Sequence, residues 1–128
     1  MTKILGFDFG QKRTGVAIAI DSDIQPLVTL DVQSIQEDVL ELVRKHQPDE
    51  LVVGIPRNLD GEDTDQTRLA RDFGQKLAKL TSLDVKYQDE ALSSERALER
   101  IGSNTNISER KKILDQVSAQ IILEDYLK

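Results

Sequence analysis

Residues 4–20 read ILGFDFGQKRTGVAIAI: an apolar run that ends on Asp8, a polar turn that follows Gly10, and a second apolar run from Gly15 to Ile20. This pattern predicts a β-hairpin. A strand as apolar as the first is buried on both faces, so an acid at its end costs free energy unless it meets a cation, a metal ion or hydrogen-bond donors. Asp8 is therefore the first candidate for chemistry, and the alternative is that it only caps the turn.

The rest of the chain alternates between strand-like and helix-like patterns. Three further strands are predicted at residues 26–30, 50–55 and 83–87. Ser34, followed three residues later by Glu37, indicates a capping box that opens a helix, which ends near Lys45 before Pro48. Apolar residues at helical spacing predict a second helix, with Leu69, Phe73, Leu77 and Leu80 on one stripe. Two more helices, at about residues 94–101 and 108–127, flank a polar connection at residues 102–106.

The order of these elements predicts an α/β fold. Three leading strands joined by short turns favour an antiparallel meander, whereas strands separated by helices favour right-handed parallel crossovers. We expect a five-stranded mixed sheet, a three-stranded meander plus two parallel strands, flanked by helices. A length of 128 residues favours a single domain, 1–128. The polar loop at residues 57–64 leaves the carboxyl end of a strand, where functional residues often lie.

Composition excludes several kinds of site. The chain has no Cys, which rules out thiolate nucleophiles, zinc–thiolate sites and disulfides and agrees with a reducing cytoplasm. No apolar segment approaches the ~20 residues of a membrane span, so we expect a cytoplasmic protein without membrane contact. A net charge of -6 is unusual for a nucleic-acid-binding protein. Metal-dependent nucleases, however, concentrate carboxylates at their sites, and bound ions reverse the local charge.

Three more acids follow or lie within predicted buried elements. The fifth predicted strand runs directly into Gln88, Asp89 and Glu90, and because consecutive strand residues face opposite ways, only one of the two acids is expected to point at a given site. The alternative for this pair is an ordinary strand-to-helix turn. Asp115 lies in a helix that is apolar around most of its circumference. It is either a functional acid or a carboxylate paired with Lys111 or Lys112.

Asp8, Glu90 and Asp115 would form an all-oxygen site if they meet. Such donors suit Mg²⁺ or Mn²⁺, and a pair of these ions promotes phosphodiester hydrolysis. The single histidine, His46, lies at the polar end of a helix and is expected to be solvated. The sequence therefore predicts metal-dependent catalysis by carboxylates.

Four groups of residues together resemble the YqgF/RuvX family. They are Phe7-Asp8-Phe9-Gly10 with Thr14-Gly15-Val16-Ala17, Val53-Gly54-Ile55-Pro56 with Asn58, Asp60 and Gly61, Asp89-Glu90 with Leu92-Ser93, and Asp115 with Ser118-Ala119 and Ile121-Ile122-Leu123. The resemblance covers almost the whole chain in order. It implies an RNase H-like fold similar to the Holliday-junction resolvase RuvC. It also implies a nuclease that matures the 5′ end of pre-16S rRNA in the bacterial cytoplasm.

The same resemblance assigns roles to particular residues. Asp8, Glu90 and Asp115 are implied as catalytic acids that bind divalent metal, and the loop around Asn58 and Gly61 is implied to flank the substrate channel. The family usually has Arg directly after the Asp-Glu pair, where this chain has Ala91, and this change removes a phosphate or carboxylate partner. Other positions that could contact substrate are Lys12, Arg13, Arg57, Asn58, Lys111 and Lys112.

Three other functions remain open at this point. A Holliday-junction resolvase acting on branched DNA would favour a two-fold dimer. A ribosome-biogenesis factor could bind rRNA or ribosomal particles without cutting. An ATP-binding module related to sugar kinases uses a similar Asp-x-Gly turn, but such kinases close two domains around the nucleotide. We expect structured pre-rRNA as the partner and a monomer or weak homodimer as the active form.

Overall fold

The computed structural model describes residues 1–57, 60–90, 93–102 and 107–128. Five strands form its sheet: β1 Lys3–Asp8, β2 Arg13–Ile20, β3 Asp23–Asp31, β4 Glu50–Pro56 and β5 Val85–Glu90. Their spatial order is β3-β2-β1-β4-β5. The pairs β1–β2 and β2–β3 are antiparallel, whereas β1–β4 and β4–β5 are parallel. The predicted five-stranded mixed sheet, a meander extended by two parallel strands, is therefore confirmed.

Helices cover both faces of this sheet. They are α1 Ile35–His46, α2 Asp65–Thr81, α3 Ser93–Ile101 and α4 Ile107–Tyr126. Helices α1 and α2 pack on one face, α4 packs on the other, and α3 packs on the outer side of α4. The short apolar strands thus become the middle layer of the molecule, as parallel strands joined by helices require.

The alternation of side chains along β1 decides which face Asp8 occupies. Leu5 and Phe7 belong to the core that α1 and α2 cover, whereas Ile4 packs against α4. Strand residues two apart share a face, so Asp8 lies on the side of α4. The acid at the end of the central strand therefore faces a helix rather than open solvent.

Helix α4 is buried on two sides because it lies between the sheet and α3. Ile122 faces the sheet, and Val117 and Ile121 pack against α3. Arg96 of α3 forms a bidentate pair with Asp125 of α4, with N–O distances of 2.9 and 3.3 Å. Because α4 is buried on two sides, its residues around Asp115 are apolar over most of the helix circumference.

Two strand boundaries differ from those expected. Strand β3 begins at Asp23 rather than residue 26, because it pairs with β2 along the whole length of that strand. Strand β5 covers Val85–Glu90 rather than residues 83–87, because its pairing with β4 continues to Pro56. In both cases a neighbouring strand extends the element beyond what local propensity indicates.

The capping box expected at Ser34 and Glu37 is wrong. A 3-10 turn, Val32–Ser34, precedes α1, and Asp31 caps it by accepting a hydrogen bond from the Gln33 backbone N–H at 3.1 Å. Ser34 makes no capping bond, and its hydroxyl donates to Asp38 instead. A reciprocal box exists at α2, where Thr64 accepts from the Thr67 backbone and the Thr67 hydroxyl accepts from the Thr64 N–H.

Two further sequence expectations concern the connection after α3 and the lack of a membrane-spanning segment. The connection expected at residues 102–106 lies, apart from Gly102, outside the described residues. Gly102 has a φ of +73° and ends α3 with its N–H donating to the Leu98 carbonyl. None of the helices in the described ranges combines the length and hydropathy that a membrane span needs.

Alanine substitution at the N-cap residues of α1 and α2 should lower the free energy of unfolding by different amounts. Thr64→Ala removes a side-chain cap and should lower the free energy of unfolding by about 1 kcal/mol. Ser34→Ala removes no cap bond and should change it by less than about 0.5 kcal/mol. Urea unfolding of both variants checks this, and an equal or greater loss at Ser34 would contradict the capping difference.

Candidate active site

Asp8 and Glu90 end two strands that do not touch, and Gly54 lies between them. Asp8 closes the central strand β1, Glu90 closes the edge strand β5, and β4 separates the two. A Cβ atom at position 54 would lie 2.9 Å from Cγ of Glu90 and would overlap the side chain of Ile122. Because Gly54 has no side chain, Glu90 can extend across β4 toward Asp8.

A close contact between α4 and β2 brings Asp115 near Asp8 and Glu90. A Cβ atom at Gly15 would overlap the carbonyl oxygen of Asp115, so the helix backbone lies directly on the strand. Gly15 is also the residue that pairs with Asp8 in the β1–β2 register. The contact therefore sets Asp115 beside Asp8.

The pKa of Asp8 reflects its burial and the nearby Glu90 and Asp115. Burial is the largest cause that raises the pKa of Asp8 well above its ordinary value of 3.8. The charge of Glu90, a hydrogen bond that the protonated Asp8 carboxyl donates to Glu90, and the charge of Asp115 raise it further. The Ser118 hydroxyl opposes the rise, although its Oγ finds no partner of standard hydrogen-bond geometry in the described part of the chain.

Asp115 carries a counter-charge that the sequence analysis did not assign to it. Arg13 Nε donates a hydrogen bond to Asp115 Oδ2 at 2.9 Å. Burial raises the pKa of Asp115, and the bond and charge of Arg13 lower it in part. The alternative pairing of Asp115 with Lys111 or Lys112 is wrong, because the cation comes from the start of β2 rather than from the preceding turn of α4.

Asp89 points away from this cluster, as the alternation along β5 requires. Its Oδ2 accepts from Arg57 NH1 at 3.1 Å. Arg57 Nε also lies 3.2 Å from Asp63 Oδ1, and Arg71 pairs with the same carboxylate. Of the two adjacent acids, only Glu90 thus faces Asp8, and Arg57 is committed to ion pairs on the α2 side.

The other expected substrate contacts are distributed unevenly around the acids. Lys12, Lys111 and Lys112 are exposed, the first in the turn before β2 and the others in the first turns of α4. Asn58 and Ala91 lie outside the described residues. The structure therefore brings together the three acids with Arg13, leaves three lysines open to solvent, and places Arg57 elsewhere.

The donor set fits a hard divalent cation, although the side chains do not yet surround one. Carboxylates and the Ser118 hydroxyl provide oxygen ligands only, which is what Mg²⁺ and Mn²⁺ prefer. Among residues 1–57, 60–90, 93–102 and 107–128, no group of three or more His, Cys, Asp or Glu side chains is arranged to hold a metal ion. Of the three acids, Asp115 is the one that is hydrogen-bonded to a cationic side chain, that of Arg13.

A separate groove of about 560 Å³ lies on the opposite face of the sheet. It runs between α1 and α2, and its lining includes Phe9, Phe73 and Lys76 but none of the three acids. Phe9 stacks on Phe73 with ring centroids 4.7 Å apart. The groove and the acidic cluster are therefore different surfaces.

Sequence reasoning missed the geometric roles of Gly15 and Gly54. Both were recognised only as parts of motifs, although a glycine inside a buried strand often marks the close approach of another backbone or a ligand. That signal was present in the sequence. The pairing of Arg13 with Asp115 had no comparable signal, because the two residues lie far apart in the chain.

Comparison with known proteins gives a consistent assignment. The family model described as "RuvX: Holliday junction resolvase" matches residues 2–128. A relative from Dechloromonas aromatica, named "Putative pre-16S rRNA nuclease", is 39% identical over 134 residues, which cover 98% of this chain and 90% of the relative. Relatives of the same name from Methylobacillus flagellatus and Lactococcus lactis subsp. cremoris are 41% and 32% identical, covering 96% and 98% of this chain and 88% and 93% of their own.

A solved structure shares the fold at much lower identity. RuvC of Thermus thermophilus, solved in complex with a Holliday junction substrate, aligns with a TM-score of 0.59. The alignment covers 99% of this chain and 95% of the RuvC chain at 14% identity. At that identity the likeness shows the fold alone, and it confirms the RuvC-like fold expected from the sequence.

The raised pKa of Asp8 predicts the pH dependence of an Asp8→Asn variant in metal-free buffer with EDTA. An acid whose pKa is higher in the folded state binds its proton more tightly there, so wild-type stability falls as pH rises from 3.8 through the folded pKa. Asn cannot ionise. The free energy of unfolding of the variant, relative to wild type, should therefore rise as pH increases above 3.8.

Asp125→Asn provides the opposite control. The hydrogen bond from Arg96 lowers the pKa of Asp125, so its stabilisation is present above 3.8 and disappears as pH falls below that value. This variant should be less stable than wild type at neutral pH. Urea unfolding at several pH values measures both effects, and a flat or falling relative stability for Asp8→Asn would contradict the raised pKa of Asp8.

Proposed function

Because the chain belongs to the RuvX/YqgF family of nucleases, we propose that it is a divalent-metal-dependent endonuclease that processes the 5′ end of pre-16S rRNA in the cytoplasm. The family that the sequence motifs resemble is confirmed by the match over residues 2–128. We further propose that residues 1–128 act as one nuclease domain.

The meeting of Asp8, Glu90 and Asp115 is the observation that carries this proposal. Three acids from β1, β5 and α4 share one partly buried place, where burial and, after it, the charges of Glu90 and Asp115 raise the pKa of Asp8. Such crowding costs stability in the absence of a cation, and perturbed acids of this kind are typical of functional sites. We assign all three as catalytic residues and metal ligands.

Each acid contributes differently to the proposed reaction. Asp8, on the central strand, fixes one ligand position, and Asp115 supplies another from the helix. Glu90, within hydrogen-bond reach of Asp8, is placed to orient a water molecule or to complete the ligand set. The chemistry that Mg²⁺ or Mn²⁺ supplies to such a site is activation of water and stabilisation of the leaving oxygen.

The exposed lysines support binding of a nucleic acid. Lys111 and Lys112 lie one turn before Asp115, and Lys12 precedes Arg13 in the β1–β2 turn. They are exposed and lie within four residues of Asp115 or next to Arg13 in the chain, in a protein of net charge -6. They are therefore the groups that would contact backbone phosphates near the scissile bond.

A pre-16S rRNA precursor is the favoured substrate, and branched DNA is the second candidate. The relatives named for pre-16S rRNA are 32% to 41% identical over nearly the whole chain. Branched DNA is supported by the family description and by the fold shared with RuvC, which is 14% identical to this chain. A resolvase would act as a two-fold dimer, whereas we propose a monomer or weak homodimer for the RNA substrate.

Substitution of the acids tests the proposed site. Asp8→Asn, Glu90→Gln and Asp115→Asn should each reduce Mg²⁺- or Mn²⁺-dependent cleavage by about 100-fold or more, the cost typical of losing one charge-stabilising group. The measurement is cleavage of a pre-16S rRNA fragment that keeps its 5′ extension, beside a four-way DNA junction. Cutting of the junction alone would replace the RNA substrate with DNA.

Asp89→Asn is the matched control for Glu90→Gln. It neutralises the neighbouring acid, which contacts Arg57 on the other face, and it should retain most of the cleavage rate. Loss of cleavage in Asp89→Asn with retention in Glu90→Gln would reject the proposed site. If no variant changes rRNA processing in cells, the protein is a binding factor rather than a nuclease.

A further inference from the structure

Arg13 brings a positive charge into the cluster of acids. It begins β2 two residues before Gly15, and its side chain is 36% exposed while that of Asp115 is 20% exposed. The Arg13 Nε–Asp115 Oδ2 distance is 2.9 Å. The guanidinium of Arg13 is thus paired with Asp115, the third acid of the candidate metal site.

The contact engages only one edge of the guanidinium. Within the part of the chain that the structure describes, Arg13 donates through Nε alone, and its terminal nitrogens make no hydrogen bond. Arg96 and Arg100, by contrast, bind their carboxylates through both terminal nitrogens. The outer edge of Arg13 therefore keeps the pair of donors that matches a phosphate.

Arg13 and a divalent ion would compete for the same carboxylate. A small divalent ion such as Mg²⁺ needs oxygen ligands at close range, about 2.0–2.1 Å, and Asp115 Oδ2 already accepts from Arg13. Two cations at one oxygen also repel each other strongly in a partly buried place. In the described part of the chain these acids are not arranged as a metal-holding group, and Asp115 is the one that the structure pairs with a cation.

We propose that Arg13 is an exchangeable cation: it neutralises Asp115 in the metal-free protein, leaves when a divalent ion binds, and then contacts a phosphate of the nucleic acid. This inference rests on the proposed function, because it takes the three acids as the metal site. Metal and nucleic acid would then bind cooperatively through one side chain, which positions the substrate rather than reacting with it.

Removing the competing cation should strengthen metal binding. Arg13→Gln keeps a polar side chain but no charge, and its Mn²⁺ affinity should rise about fivefold or more over wild type, the lower range of typical coupling between linked events. Titration calorimetry and the Mn²⁺-induced shift in melting temperature measure this without any cleavage. An unchanged or weaker affinity would overturn the proposal and leave Arg13 as a structural ion pair.

Nucleic-acid binding tests the second half of the exchange. The probe is a 2′-O-methyl RNA fragment of the precursor, which resists cleavage. With Mn²⁺ present, Arg13→Gln should bind it about fivefold or more weakly than wild type, whereas in EDTA the two should bind equally. Equal losses under both conditions would mean that Arg13 contacts phosphate regardless of metal, and the exchange would be rejected.

Arg96→Gln is the matched control. It breaks an Arg–Asp pair of the same 2.9 Å length and the same 36% exposure of the arginine side chain, remote from the acids. It should lower the melting temperature and leave the Mn²⁺ affinity unchanged. An equal gain in Mn²⁺ affinity in both variants would mean that the effect comes from net charge, which rejects the proposal.

Glu90→Gln separates failure of this inference from failure of the proposed function. One possible result is that wild type binds Mn²⁺, Glu90→Gln abolishes this binding, and Arg13→Gln has no higher Mn²⁺ affinity than wild type. In that case the metal site is supported and only the exchange is wrong. If neither wild type nor Arg13→Gln binds Mn²⁺, the proposed metal site and the exchange are both rejected.

Discussion

Helix α4 lies with its backbone against β2, and this approach is possible only because Gly15 has no side chain. A methyl group there would overlap the carbonyl oxygen of Asp115 and push the helix off the sheet. The same residue pairs with Asp8. One contact therefore both closes the core on this face and sets the distance between two acids, so packing and the candidate site are inseparable at this point.

The acids are held together by contacts remote from them. Bidentate pairs join α3 to α4 at Arg96–Asp125 and Arg100–Glu124, and the Tyr126 hydroxyl donates to Glu50 of β4. At its other end, α4 is tied to β3 where the Thr29 hydroxyl donates to the Lys112 carbonyl at 2.7 Å. A helix fixed at both ends can carry an acid into a repulsive environment, because the repulsion is small against the sum of these contacts and the buried apolar surface.

Much of this arrangement is predictable from the sequence because it follows from burial and periodicity. The apolar strands give the sheet, the all-round apolar α4 gives its two-sided burial, and alternation along β5 separates Asp89 from Glu90. The partner of Asp115 could not be predicted, because Arg13 meets it only after the sheet and helix assemble. The start of α1 was mispredicted for a local reason: Asp31 offers a competing cap three residues before Ser34.

The two ends of the acidic cluster differ in how firmly the backbone holds them. Asp8 sits on a strand that is bonded to neighbours on both sides, whereas Glu90 sits on an edge strand, β5, which among the strands that the structure describes is paired with β4 alone. Unpaired strand edges open more readily than interior strands. One side of the acidic cluster is thus rigid and the other compliant, and under the function proposed above, cations of different radius would be accommodated by displacement of β5 rather than by distortion of the core.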